Sequence, residues 1–507
     1  MSTLMSNQIE QQMLLRANGF IASHASTVAE SKMRQRYHFM GPAGWINDPN
    51  GLVFFRGQYH FFYQFNPYEP FWSHMHWGHA ISDDLVHWKH LPIALAPSEE
   101  YECHPRGGCF SGSAIEKDGR LYLIYTGTSN HGNGFEQTQC VAWTDDGINF
   151  VKYEGNPVLS APQEVPTDFF RDPKVFEHEG KYFLVCGAQK NGRAQALLYT
   201  SPDLLHWEFM NVLFESRGEW GFMWECPDFF PLGDKWVFVC SPMGAGERTC
   251  IYFVGDFDGR RGRFYPQTSG EVDWGLDFYA PQSFRAPDSR RIMVGWANGW
   301  DWMPTWKDWG PTWRDGWCGA FGVPREVALD EKLHLVSQPI RELASLRDAD
   351  TKTEIDSLIV ESSCDVPVGD GISYDLSFEI DLDSTTTRCA ALLLRAKGDL
   401  GLLVECDIEN AELRLSRDTA DGWSAGVSRS PLCLMGKSQL DVRICVDVCS
   451  VELFVDGGRV VHSINDFAPL ENNEIRFQVD DGQLVIKNLV GYPLKAVTDP
   501  ALTFELH

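Results

Sequence analysis

The sequence predicts an all-β chain, a five-bladed β-propeller followed by a C-terminal β-sandwich. Three observations carry that expectation. A strand-and-turn unit returns five times before residue 336, an alternating pattern with regular turns runs beyond residue 353, and all but one of the 18 Trp lie ahead of the second region.

The repeat is read from "GQYHFFYQ" at Gly57, "GRLYLIYT" at Gly119, "GKYFLVCG" at Gly180, "DKWVFVCS" at Asp234 and "RRIMVGWA" at Arg290. Each is a turn followed by an apolar or aromatic strand, and the starts lie 62, 61, 54 and 56 residues apart. A second echo, "SDDLVHW" at Ser82, "TDDGINF" at Thr144 and "SPDLLHW" at Ser201, reads as a turn whose aromatic residue packs on the sheet. A recurring unit of ~40–60 residues built from short strands is the mark of a propeller blade. Tandem sandwiches would not keep one strand-turn pattern in register, so five blades are assigned to residues 35–336.

Ahead of the blades, residues 1–34 are expected to form a helical lead-in that packs on the domain behind it. After them, "QPIRELASLRDAD" predicts a linker helix within 337–352. From 353 to 507, runs such as "SYDLSFEIDL", "AELRLSR" and "VRICVDVCSVELFVDGG" alternate between Gly, Asp and Asn turns, as in an antiparallel sandwich. Only Trp423 remains there to stack on a sugar. The chemistry is therefore expected in the propeller, and a packing role, or a subunit contact in a homo-oligomer, in the sandwich.

Composition excludes several classes. A net charge of −27 without any run of Lys and Arg argues against nucleic acid. No apolar run approaches the ~20 residues of a membrane span. The first residues lack a basic stretch followed by an apolar one, as a secretory signal would need. The 14 Cys sit mostly inside apolar runs such as "FLVCGA" and "WVFVCS", as buried reduced thiols do, and Cys103 and Cys109 read as free thiols in a loop. A cytoplasmic protein is expected.

Just before each repeated strand stands a conspicuous segment: "NDPNGLVF", "FSGSAI", "RDPKVF", "ECPDFF" and "YAPQSF". Four carry Pro after the key residue, at Asp48-Pro49, Asp172-Pro173, Cys226-Pro227 and Ala280-Pro281. Equivalent strands of consecutive blades line one channel, so Asp48, Asp172 and Glu225 are expected to converge. Singly, each has an ordinary reading as a turn acceptor, an Arg-paired strand end or a rim residue. Three carboxylates in one pocket repel and raise at least one pKa, a burden more typical of a site than of a scaffold. Arg171 is one compensating charge. No His/Cys constellation has metal-ligand spacing, so no metal or other cofactor is expected.

In order along the chain, these segments resemble the signature of glycoside hydrolase family 32, the invertase and fructanase family. "WINDPNG" resembles its nucleophile motif, "FRDPKV" its Arg-Asp-Pro motif and "MWECPDFF" its acid/base motif, while "FYQFNP", "HWGHAIS", "FSGSA", "DFYAPQSF" and "GWANGW" also match. The C-terminal "VDVCSVELFVDGG" looks like the family's sandwich motif. The resemblance implies a retaining β-fructofuranosidase, with Asp48 attacking the anomeric C2, Glu225 as acid and then base, and Asp172 stabilising the transition state. It also implies a fructose pocket shaped by Asn47, Gln64, Trp72, Phe110, Ser111, Arg171, Tyr279 and Trp300. As starting acid, Glu225 is expected to have a raised pKa, with negative Asp48 and an apolar wall as causes.

Sucrose, sucrose 6-phosphate and short fructo-oligosaccharides are the sugar substrates this reading allows. His104 and Arg106 in "ECHPRGG", or His74 and His76 in "WSHMHWGH", could meet a phosphate, though they read equally well as hydrated rim residues. Three alternatives stand beside it: an inverting propeller hydrolase of another furanoside, a sugar-binding relative without catalysis, and a fructosyltransferase.

Overall fold

The computed structural model describes residues 3–130, 135–163, 167, 169–300, 302–303 and 310–497. Its first element is a 27-residue α-helix, Thr3–Ala29. Ala17, Ile21, Ala25 and Val28, spaced to share one face, are buried against the blades. Asn18 fixes the helix to the first blade, its Oδ1 accepting the Ile93 N–H at 3.0 Å. Among the described residues, no helix is long and apolar enough to cross a membrane.

Five sheets follow. Their innermost strands are Gly44–Phe55, Cys109–Lys117, Phe170–His178, Met223–Leu232 and Tyr279–Arg285. Each touches the next and the last touches the first, so the sheets close into a ring around a central channel. Trp317–Cys318, reached after the fifth blade has begun, pairs in parallel with Gly44 and Trp45 and seals that ring.

The five repeated octapeptides form the second strands, Gln58–Asn66, Arg120–Ser129, Lys181–Lys190, Lys235–Met243 and Arg291–Trp296. They are covered on both faces by neighbouring blades, which is why they read as continuous apolar runs rather than alternating ones. The second echo is one side-chain-built turn used three times. Ser82 Oγ accepts the Leu85 N–H at 2.8 Å, Asp84 Oδ1 accepts the His87 N–H at 2.8 Å, and Trp88 Nε1 donates to Leu85 O at 3.0 Å. Ser201, Asp203 and Trp207 repeat those bonds. Thr144 and Asp146 repeat the first two, with Phe150 set edge-on against Phe62 at 5.5 Å.

The expected linker helix is corrected. The outer strand of the fifth sheet, Leu335–Pro339, takes the first part of that segment by pairing with Arg325–Leu329. Only a 3-10 helix, Arg341–Leu346, follows, with Leu343 and Leu346 buried. Two inward apolar positions are too few to hold a longer helix.

Beyond it, two six-stranded sheets pack face to face. In Glu474–Val479 every second residue, Ile475, Phe477 and Val479, points into their shared core beside Phe378, Leu392 and Leu394. A buried ionic cluster ties this sandwich to the propeller. Arg325 donates to Asp273 Oδ2 at 2.8 Å and to Glu452 Oε2 at 2.6 Å, and lies over the Phe278 ring at 3.9 Å. His38 bridges Asp447 at 2.9 Å and the second oxygen of Glu452 at 3.0 Å.

Candidate active site

All five innermost strands lose register at the same level. The breaks lie between Ile46 and Pro49, Phe110 and Gly112, Arg171 and Lys174, Glu225 and Asp228, and Tyr279 and Gln282. These are β-bulges, which drop residues out of the ladder and re-aim their neighbours. The recurring Pro is explained by them, because a residue that cannot donate is tolerated in a strand where pairing lapses. Asp172, Cys226 and Ala280, each preceding its Pro, have φ of 64°, 47° and 51°. Left-handed backbone at a non-Gly residue is held at a cost of about 1–3 kcal/mol and gathers where a side chain must be aimed. Here it gathers on the channel.

Asp48 is held on both oxygens. Asn47 Nδ2 donates to Oδ1 at 3.0 Å, while Ser111 Oγ at 2.5 Å and Cys226 Sγ at 3.3 Å donate to Oδ2. Trp45 Nε1 donates to Asn47 Oδ1 at 2.8 Å and so fixes the amide that serves Asp48. Cys226 also donates its backbone N–H to Asp172 Oδ2 at 2.9 Å. One residue thus joins two carboxylates, and its predecessor is the third. Glu225 Oε1 accepts from Arg171 Nη2 at 2.7 Å, and its Oε2 accepts from the Tyr279 hydroxyl at 2.5 Å. Arg171 Nε lies 3.8 Å from Asp172 Oδ2.

Three acids around one guanidinium leave an excess of negative charge. Burial pushes the Asp172 carboxyl up to about 7, with Arg171 opposing and the Glu225 and Asp48 charges adding to the rise. Burial likewise raises Asp48, against the bonds from Ser111 and Asn47. Tyr279 is pushed well above the usual phenol range by burial and then by Glu225, so it stays a donor.

Aromatic rings wall the mouth. Trp300 stacks on Trp45 at 6.0 Å and meets Tyr279 at 6.4 Å and Trp72 at 6.4 Å, both edge-on. Trp72 reaches Phe110 at 5.9 Å. The expected site residues therefore form one constellation. Gln64 is buried, and its Nε2 donates to Cys109 O at 2.8 Å.

Comparison with known proteins gives the family. Family models for the glycosyl hydrolases family 32 N-terminal domain and C-terminal region match residues 38–339 and 342–493. The chain belongs to glycoside hydrolase family 32. A sucrose-6-phosphate hydrolase of Escherichia coli is 34% identical over 495 residues, 92% of this chain and 97% of that one. A mutant of a Bombyx mori family 32 β-fructofuranosidase, solved in complex with sucrose, is 31% identical over 95% of this chain and 98% of its own, with a TM-score of 0.78. A sucrose-6-phosphate hydrolase from Lactobacillus gasseri is 26% identical, covers 95% of this chain and 97% of its own, and has a TM-score of 0.83.

This family 32 hydrolase also supports its site from residues that the motifs do not contain. In four of the five repeated octapeptides the eighth residue faces the neighbouring blade. Thr126 Oγ1 accepts the Asp172 N–H at 3.0 Å, and Ser241 Oγ accepts the Ala280 N–H at 2.8 Å. Gln64 reaches the second blade in the opposite sense, its Nε2 donating to Cys109 O. At Gly187 a Cβ would stand 2.2 Å from Trp224 O, because the next blade's backbone fills that place. Gln137 Oε1 accepts the Phe170 N–H at 2.8 Å and so anchors the strand that carries Arg171 and Asp172. The equivalence of the octapeptides could have revealed the first set; Gln137 has no such signal.

Proposed function

We propose that the chain hydrolyses the terminal β-D-fructofuranosyl bond of sucrose, sucrose 6-phosphate or short fructo-oligosaccharides through a covalent fructosyl-enzyme. The observation that carries this reading is the Glu225-Cys226 pair, which sets an acid beside a residue bonded to both Asp48 and Asp172. Retaining glycosidases need two carboxyls ~5–5.5 Å apart, one to attack and one to manage the proton.

Asp48 Oδ2 already accepts from Ser111 and Cys226, so Oδ1, with the single bond from Asn47, is the oxygen that attacks C2. Glu225 Oε1 is committed to the Arg171 cation, whereas Oε2 has only the neutral Tyr279 hydroxyl as partner, so Oε2 is the oxygen that carries the transferable proton. That proton goes to the glycosidic oxygen as the C2–O bond breaks and the Asp48–C2 bond forms. In the second half, the Glu225 carboxylate takes a proton from water, the water oxygen bonds to C2, and Asp48 is released. Asp172 has one oxygen on the Cys226 N–H and offers the other to fructose hydroxyls. Asn47, Ser111 and Arg171 hold the acids; Trp72, Phe110, Tyr279 and Trp300 wall the sugar; Gln64 positions the second blade. All 14 Cys are unpaired, which suits the cytoplasm.

The test is release of fructose from sucrose, sucrose 6-phosphate and 1-kestose by the purified chain. Asp48→Asn and Glu225→Gln should each lose at least about a thousandfold in kcat. Fructosyl fluoride separates the roles, because its leaving group needs no proton: Glu225→Gln should still release fluoride and Asp48→Asn should not. A wild-type chain that cleaves none of these, or variants that stay active, would overturn the assignment.

A further inference from the structure

Trp300 of the aromatic wall lies beyond the end of the strand Arg291–Trp296, and its segment is fastened from the sandwich. Ala297 closes the fifth octapeptide, and its N–H donates to Ala320 O at 2.9 Å within the propeller. Its carbonyl goes to the other domain: Asn465 Nδ2 donates to Ala297 O at 2.7 Å and to Asn298 Oδ1 at 3.3 Å. On the far side of Trp300, the Arg417 guanidinium lies over the Trp302 indole at 4.2 Å. Asn298 Nδ2 reaches Met303 Sδ at 3.3 Å and ties the two sides together. At Gly299 a Cβ would stand 2.5 Å from Leu276 O, so the segment also sits tightly on the chain just before Asp277.

The two sandwich residues are themselves fixed by one propeller carboxylate. Asp277 Oδ2 accepts from Arg417 Nη1 at 2.8 Å and from the Asn465 N–H at 2.8 Å, and the Asp277 N–H donates to Ser463 O at 3.1 Å. Arg417, Asp277 and Asn465 are all buried. Two residues past Asp277 stands Tyr279, the partner of Glu225. Trp300 in turn packs on Trp296 at 4.8 Å, on Trp45 at 6.0 Å and on Tyr279 at 6.4 Å. A seam that only packed two domains together would be served by apolar side chains. An amide on a backbone carbonyl and a planar guanidinium stacked on an indole fix instead where a backbone runs and how a ring is tilted.

We infer that Asn465 and Arg417 are positioning residues for the sugar site: the sandwich sets Trp300, and through it the affinity for the substrate. The inference rests on the fructosidase reading for the sugar that Trp300 meets. A wall that touches the sugar in the ground state and the transition state alike contributes uniform binding. Loosening it raises KM and leaves kcat nearly unchanged.

Two measurements on the full chain test it. The first is steady-state kinetics on whichever of sucrose, sucrose 6-phosphate and 1-kestose is cleaved best. Asn465→Ala should raise KM about fivefold, the worth of one net hydrogen bond, with kcat within about twofold of wild type. Arg417→Lys keeps a charge for Asp277 but loses the flat face on Trp302, and should raise KM less. Leu392→Ala, which opens a cavity in the sandwich core, should lower stability and leave KM unchanged. In a Trp300→Ala background, Asn465→Ala should add nothing further to KM, because the two act as one unit. The second measurement is fluorine NMR of the chain labelled with fluorotryptophan, the Trp300 resonance being assigned by Trp300→Phe. Asn465→Ala should shift or broaden that resonance, and Leu392→Ala should not. A KM that stays at the wild-type value, an effect that adds in full to that of Trp300→Ala, or an unmoved Trp300 resonance overturns the inference. If Asn465→Ala does not fold, Arg417→Lys decides by the same readouts. Should the wild-type chain cleave none of the sugars, the fructosidase reading fails, and the fluorine spectra still decide whether the sandwich sets Trp300.

Discussion

Two regions of this molecule bury three carboxylates around an arginine, and they handle the charge in opposite ways. At the channel, Arg171 alone faces Asp48, Asp172 and Glu225. At the seam between propeller and sandwich, Arg325 and His38 face Asp273, Asp447 and Glu452. Asp447 is saturated: its oxygens accept from the backbone N–H of Arg36, Tyr37 and Val448, from Ser373 Oγ and from His38. Despite burial, the bonds and charge of His38 hold it below the usual carboxylate range. Glu452 is likewise pulled down to about 2 against its burial, chiefly by Arg325 and His38. Asp273 is the exception, raised by burial even beside Arg325. Asp172, by contrast, receives the Cys226 N–H and little else, and rises to about 7. The seam spends its donors on the protein's own acids; the channel leaves lone pairs open for a sugar. A cluster built for stability is satisfied before any ligand arrives, and one built for chemistry is not.

The largest test of that contrast removes the seam's arginine. Arg325→Met strands Glu452 and Asp273 in a dry interface and should cost about 3–5 kcal/mol. The denaturation midpoint should fall steeply while the specific activity of the remaining folded protein stays near that of the wild type. A midpoint unchanged by the substitution would mean that the seam is not a clamp. Arg325→Met with Glu452→Leu should recover only part of the loss, since it removes one of the two stranded carboxylates and leaves Asp273.

A smaller effect comes with pH. His38 is raised to about 9 from an ordinary 6.5, because Asp447 and Glu452 outweigh its burial. Its folded pKa lies above the unfolded one, so its stabilisation is complete below about 6.5 and is lost as pH rises through about 9. Glu452 acts in the other direction: its stabilisation is present above its ordinary 4.5 and disappears as pH falls towards about 2. The seam should therefore be most stable between about 4.5 and 6.5. Denaturation midpoints of wild type and His38→Gln across pH 4 to 10 check this: the variant should lose the alkaline decline, and parallel curves would refute it.

The channel was far more legible from sequence than the seam, for a physical reason. Asp48, Asp172 and Glu225 stand at one level of a fivefold repeat, so their convergence follows from the ring and needs no knowledge of side-chain contacts. The Pro that follows each within two residues is visible in the sequence, although the bulge that admits it is not. The motif carries Gln64 to this region but does not show that its Nε2 is bonded to Cys109 O, because a motif gives the neighbourhood of a side chain and not its partner. The seam has no repeat to announce it. His38 and Glu452 are 414 residues apart, and Arg325 and Glu452 are 127 apart. Asp447 and Glu452 lie in the quoted "VDVCSVELFVDGG", yet nothing in that strand pattern says that its carboxylates leave the sandwich to bind another domain.

The smallest effect is the most discriminating. Asp172→Asn keeps an acceptor for the Cys226 N–H and removes a carboxylate that burial pushes from 3.8 up to about 7. A folded acid with a raised pKa binds more protons than the unfolded one, so wild-type stability declines as pH rises from about 3.8 through about 7. The variant should escape that decline. At pH 8 it should be more stable than wild type by at least about 1 kcal/mol, at pH 4 indistinguishable, and nearly inactive at both. Paired denaturation curves at the two pH values decide it. A gain that is the same at both would trace to packing rather than charge. A loss at pH 8 would mean that Asp172 is already satisfied in the empty channel, as Asp447 is in the seam, and the contrast between the two clusters would fail at its central residue.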